Sequence, residues 1–245
     1  AVGIDTNLQL GYTYNFAAND GVYGAVPPAV GFLMLRNPIM QSIGDTVRYY
    51  SPPGSNNLIV KPNYKQIKLS SFSTYRNGVS GESDPANFHQ TYNVMQGRKA
   101  NGTLWINPTT NQPSQFPFSG KPETGTGWIV NSGDERRFMM NFGPMTMNPN
   151  DTQSVIVAQL ISGLSGHLQN IINLRDLANV TRGIYNTNFQ SVISVNNISA
   201  EVPDGFELKQ NYPNPFNPST KLEFGISDLG FVSLKVYDML GNEIR

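Results

Sequence analysis

Turn-forming residues cut this chain into short segments, and that limits its fold more than any other feature of the sequence. Asparagine occurs 28 times, glycine 23 and proline 17 among 245 residues. Glycine accepts positive φ, proline lacks an amide donor, and asparagine closes local turns through its side chain, so each tends to sit where the chain reverses. Many short strands suit such a chain better than a helical bundle does. We therefore expect a mainly β fold with two α-helices, an α+β body.

Residues 1–60 carry turn chemistry almost throughout, as in NFAANDGVYG at 15–24 and YSPPGSNN at 50–57, with short apolar runs such as Val30 to Leu35 reading as strands. In KQIKLSSFSTY, 65–75, the alternation of Ile67 and Leu69 with Lys68 predicts a half-buried strand. Ser83 or Asp84, followed by Pro85, marks a helix start; Phe88, Tyr92 and Met95 recur at helical spacing and Gly97 ends the run, which predicts a helix over 85–96. Residues 104–135 read as loops anchored by two tryptophans. RFMMNFG and TQSVIVAQLI then predict a hairpin around MNPND at 147–151, its second strand central because Val155 and Val157 oppose Ile156 and Ala158. The longest helix is expected at 167–187, where apolar residues follow a 3.6-residue period.

The 17 basic and 17 acidic residues balance, so no net field draws the chain to nucleic acid. With no cysteine there is no disulfide framework, thiolate chemistry or cysteine-held zinc. The longest apolar stretch, 154–164, falls short of the ~20 residues that a membrane helix needs, so no transmembrane segment is expected. AVGIDTNLQL has no basic and apolar leader pattern, so either the protein is cytoplasmic or its true start lies upstream.

Few residues form a chemical pattern. His89 and His167 have no partner at metal-ligand spacing and read as surface or capping residues. GLSG at 163–166 lacks the spacing of a nucleophile elbow. Glu82 with Asp84, and Asp134 with Glu135, read as solvated loop charges rather than acid–base pairs. Asp5, Asn7, Asn19 and Asp20 are oxygen donors that would suit calcium, though turns closed by their own side chains account for them without an ion. No catalytic residue and no other cofactor is expected.

The most specific string is QNYPNPFNPST at 210–220, three prolines and three asparagines in a stretch that builds no core. Its prolines exclude helix and central strand. It is expected to run extended along a domain edge with Tyr212 and Phe216 turned inward. Downstream, Leu222, Phe224 and Ile226 alternate, a DLG turn follows, and Val232, Leu234 and Val236 alternate again, which predicts a hairpin. A second domain is placed at 203–245, after a body of 1–202.

This segment resembles the C-terminal sorting domain of the type IX secretion system of Gram-negative bacteria of the Bacteroidetes lineage. The likeness rests on Phe206, Leu208, Gln210, Asn211, Tyr212, Pro213, Asn214, Pro215, Phe216, Asn217 and Pro218, then Leu234, Val236, Tyr237, Leu240 and Gly241. The resemblance implies an immunoglobulin-like β-sandwich read by the outer-membrane secretion machinery, and a secreted or cell-surface protein. The family continues through further strands past MLGNEIR, so a truncated sandwich is expected, with self-association through the exposed edge at 220–245. Passages of the body, among them YGAVPPAVGF and FSGKPETGTGW, resemble large secreted proteins of no assigned activity that carry the same domain. The expected role is binding or structural; the alternative is the accessory region of a secreted hydrolase whose catalytic module lies upstream.

Overall fold

A computed structural model of the chain describes residues 1–190, 207–215, 217–225, 235–237 and 241–244. It divides into two units, Ala1–Ile193 and Ser194–Arg245. The boundary read at Pro203 lies outside the described residues.

The first unit opens with a tight hairpin, β1 (Val2–Asp5) and β2 (Leu10–Thr13), whose reversal is set by Asp5: its Oδ1 accepts the amides of Asn7 at 3.1 Å and Leu8 at 3.0 Å. β3 (Ala29–Arg36) pairs with β2, and the sheet is completed by a strand from much later in the chain. Between them comes a long antiparallel arm, β4 (Ile39–Tyr50) with β5 (Leu58–Gln66), closed at the YSPPGSNN turn where the Ser51 amide donates to Asn57 O at 3.0 Å.

The 65–75 segment does not form one strand. Lys65 and Gln66 finish β5, the Ile67 amide donates to Pro38 O, and β6 (Leu69–Tyr75) begins anew. Nor is β6 half-buried, since Ser71, Phe72, Ser73 and Thr74 are all enclosed. α1 (Phe88–Met95) packs against it, and this explains the buried serines. Ser71 Oγ donates to Met95 O at 3.2 Å and Ser73 Oγ to Val94 O at 2.5 Å, tying the end of the helix to the strand.

α1 starts three residues later than the sequence suggests because Asn87, not Ser83 or Asp84, caps it: Asn87 Oδ1 accepts the Gln90 amide at 3.0 Å, and Gln90 Oε1 accepts the Ala86 amide at 2.7 Å. Phe88, Tyr92 and Met95 share helical spacing, but that stripe faces solvent and Val94 is the residue the helix buries.

After a small hairpin, β7 (Trp105–Asn107) and β8 (Gln112–Ser114), comes β9 (Arg137–Phe142), which pairs with β6. β10 (Ile156–Ser162) pairs with β3, giving the sheet order β1-β2-β3-β10. The hairpin expected of β9 and β10 therefore does not form, and β10 is an edge strand instead of a central one. The MNPND turn is present, with Asp151 Oδ2 accepting the Asn148 amide at 2.7 Å, but the strands on its two sides belong to different layers. Phe138 and Met140 pack into an aromatic core, whereas Ala158 and Leu160 pack toward the second helix.

That helix, α2 (Gln169–Asn186), covers one face of the sheet through Ile171, Leu174 and Ala178, all fully enclosed against Leu10, Tyr12 and Leu33. Buried Asn170 seats its start, donating to Pro27 O at 2.9 Å and Ser165 O at 2.7 Å. Arg182 pins its end, donating to Met34 O at 2.9 Å. On the opposite face Val2 and Ile4 join Phe72 and the two tryptophans in a separate core.

Burial pushes the Tyr14 hydroxyl up to about 12 and that of Tyr12 higher still. Both stay protonated in the folded chain at pH values where the unfolded chain ionises, so the stability they confer is complete below pH ~10 and lost as pH rises through 12. Urea unfolding between pH 9 and 12 is expected to show this loss, and Tyr14→Phe to remove part of its pH dependence; a flat profile would contradict it.

In the second unit β11 (Glu207–Leu208) pairs with β12 (Phe224–Gly225), and β13 (Val236–Tyr237) with β14 (Glu243–Ile244). The hairpin read over Leu222–Val236 falls largely on 226–234, outside the described residues. The described partners of Phe224 and Val236 are Leu208 and Ile244.

Candidate functional site

A cleft of the first unit is built from residues far apart in sequence. Its wall begins with Trp105 on β7, followed by a loop that returns Phe118 and Trp128 against it, with ring centroids 6.1 and 6.3 Å from Trp105 and 5.5 Å from each other. The loop closes at Gly120, whose amide donates to Trp128 O at 2.8 Å. A Cβ there would lie 2.5 Å from Thr126 O and 2.7 Å from Trp128 N, so only glycine lets the two backbones meet. The Ile4 amide donates to Phe118 O at 3.2 Å, tying the loop to the sheet.

Five charges stand on this aromatic wall. Glu82 Oε2 meets Arg76 Nε at 3.0 Å and Arg136 Nη1 at 3.8 Å, while Oε1 meets Lys99 Nζ at 3.1 Å. Asp134 pairs with Arg76, accepts from Ser132 Oγ at 2.6 Å and lies 3.5 Å from Arg136 Nη2. Lys99 Nζ sits 4.7 Å from the centre of Trp105, and the Arg136 guanidinium 5.0 Å from that of Phe118. The Ser132 hydroxyl, then Arg76, holds the Asp134 carboxyl below its usual range, and burial, then repulsion from Arg76, lowers Arg136.

Three cations and Glu82 thus line a cavity of about 300 Å³, and Asp134 pairs with two of those cations. The Arg136 side chain is 4% exposed, and its Nε and Nη1 have no hydrogen-bond partner. Trp105 Nε1 is likewise buried without an acceptor. Of the carboxylates read as solvated loop charges, Glu135 is one, at 83% exposed, whereas Glu82 is not. Glu82 is the hub of the cluster with its side chain 12% exposed, Asp84 pairs with Arg137, and Asp134 and Glu135 are held by arginines. Sequence reading missed Arg76, Lys99, Phe118 and Arg136; the paired arginines of GDERRF, beside the loop of tryptophans, were the available signal.

Comparison with protein-family models, curated proteins and solved structures finds no match to this chain.

The other candidates sit elsewhere. His89 is exposed and stacks on Phe88 with ring centroids 4.0 Å apart, and His167 lies half-buried just before α2. The oxygen donors considered for calcium fall in separate turns. Asp5 and Asn7 close the β1–β2 reversal, with Asp5 Oδ2 3.2 Å from Arg175 Nε. Asp20 accepts the amides of Val22 and Tyr23 and the side chain of Asn15 at 2.7 Å, contacts that hold its carboxyl low, and Asn19 is exposed. Among the described residues no three His, Asp or Glu side chains are grouped to hold a metal, and no helix is long and apolar enough to cross a membrane.

In the string 210–218, Gln210, Asn211, Tyr212, Pro213, Asn214, Pro215, Asn217 and Pro218 are described and Phe216 lies outside the described residues. Tyr212 does not tuck inward: it is 81% exposed. Its backbone bridges Lys221 in both directions, at 3.1 and 2.9 Å, and that pairing commits the strand edge and leaves the ring outside.

Proposed function

We propose that this chain belongs to a protein exported across the outer membrane of a Gram-negative bacterium, with a binding or structural body and a C-terminal module of immunoglobulin-like type that the type IX secretion machinery reads. The string at 210–220 carries this reading. The bridge between Tyr212 and Lys221 joins the two ends of the string, braced by Thr220 Oγ1 donating to Pro213 O at 2.8 Å and Asn211 Nδ2 donating to Thr220 Oγ1 at 3.0 Å. Tyr212 stands out in solvent beside exposed prolines, which favours a surface offered for recognition. Leu208, Leu222, Phe224 and Tyr237 are exposed in the same unit, apolar area of the kind that supports docking or self-association.

The test uses the full gene product in its own host. Because Tyr212 is exposed, Tyr212→Ala should change stability by less than about 0.5 kcal/mol, so any effect on export reports recognition. Tyr212→Ala, and the double change Pro213→Ala with Pro215→Ala, are expected to shift the protein from the surface and medium to the periplasm. Unchanged export by both variants would overturn the reading.

A further inference from the structure

The cleft at Trp105 and Arg136 lies in the other unit and stands independently of the export reading. We propose that it binds a small organic ligand through a single carboxylate group. Three observations converge on that chemistry.

The first is a surplus of donors. Arg136 and Trp105 both line the cavity, and their enclosed Nε, Nη1 and Nε1 have no hydrogen-bond acceptor, Glu82 Oε2 standing 3.8 Å from Nη1. A buried donor without a partner costs about 1–3 kcal/mol, and more when charged. Three such donors in one wall are an arrangement that an incoming acceptor relieves. The second is charge. Arg76, Lys99 and Arg136 exceed Glu82 and Asp134 by one positive charge, so a monoanion neutralises the cluster where a dianion would overshoot it. The third is the setting. The rings of Trp105, Phe118 and Trp128 back the charges, so a ligand held by a charge-assisted hydrogen bond to the cations also meets an aromatic surface. A cavity of about 300 Å³ sits at the small end of the range for ligand pockets, which suits a ligand no larger than a single sugar acid.

The two tryptophans of the chain both line this cavity, so intrinsic fluorescence reports occupancy of this site alone. The full chain is titrated, at fixed ionic strength, with acetate, D-glucuronate, D-glucose and inorganic phosphate. Saturable changes are expected with the two carboxylates, with D-glucuronate binding at least about tenfold tighter than D-glucose, the same ring without the charge. Arg136→Met should abolish the response. Should that variant not fold, Trp105→Phe keeps an aromatic ring and removes only the Nε1 donor; with Trp128 as reporter, it should weaken D-glucuronate binding about five- to tenfold. A flat response to both carboxylates up to about 50 mM would overturn the proposal, as would phosphate binding more tightly than either, or undiminished binding by Trp105→Phe.

Discussion

Replacing Leu174 with alanine will lower the stability of the first unit by about 2–5 kcal/mol, the range for removing a fully enclosed leucine from a packed core. Leu174 is 0% exposed at the centre of the layer between α2 and the sheet, among Leu10, Tyr12, Leu33 and Ile171. α2 lies over the backbone of β3 there, so closely that a Cβ on Gly31 would stand 3.0 Å from Leu174 Cδ2. The helix is also fixed at both ends, by Asn170 and by Arg182. It therefore cannot settle into the space left behind, and the cost should lie above the bare transfer energy of the lost methyl groups. Urea unfolding should show a lower midpoint at unchanged slope. Val180→Ala, on the same helix but 58% exposed, should move the midpoint little. Equal effects of the two changes would show that α2 does not bury the face described.

Replacing Gly120 with alanine will cost about 1–3 kcal/mol, the usual range for an overpacked site, and will open the aromatic wall. The atoms that a Cβ would strike are the backbone of Thr126 and Trp128, which cannot rotate away as a side chain can. Relief requires the Gly120–Trp128 hydrogen bond to lengthen, and Trp128, now 8% exposed, moves toward water. Tryptophan emission should shift to longer wavelength and the unfolding midpoint should fall. Unchanged emission would mean that the loop closes in some other way.

Much of the fold is legible wherever local chemistry decides it. Val30 to Leu35 is a strand, the YSPPGSNN turn closes a hairpin, Gly97 ends α1 with φ at +76°, and the apolar period of 167–187 yields α2. What is not legible depends on partners distant in sequence. β9 and β10 flank a good turn, yet β9 pairs with a strand near residue 70 and β10 with one near residue 33. Apolar residues on both faces of a strand do not say which layer it joins, and so do not separate an edge from a centre. The stripe of α1 misleads for a related reason: helical spacing identifies a face, but the serines of β6 that hold the helix end select the face carrying Val94.

The cleft was hidden by the same distance. Arg76, Glu82, Lys99, Trp105, Trp128 and Arg136 come from separate turns and strand ends, and each taken alone reads as a loop charge or a packing anchor. Only the pairing of β6 with β9 brings Arg76 and Arg136 to one side of the tryptophans. The string at 210–220 is the opposite case, a contiguous run of residues whose resemblance needs no tertiary information. The direction read for Tyr212 was wrong, because it is set by a backbone bridge to Lys221 that residue types alone do not reveal.

Protease treatment of intact cells measures export most directly. In the host strain with its type IX secretion machinery intact, the full gene product should be degraded by added protease or recovered from the medium. In a strain lacking that machinery it should be protected in the periplasm until the outer membrane is opened. Equal accessibility in the two strains would contradict the export reading.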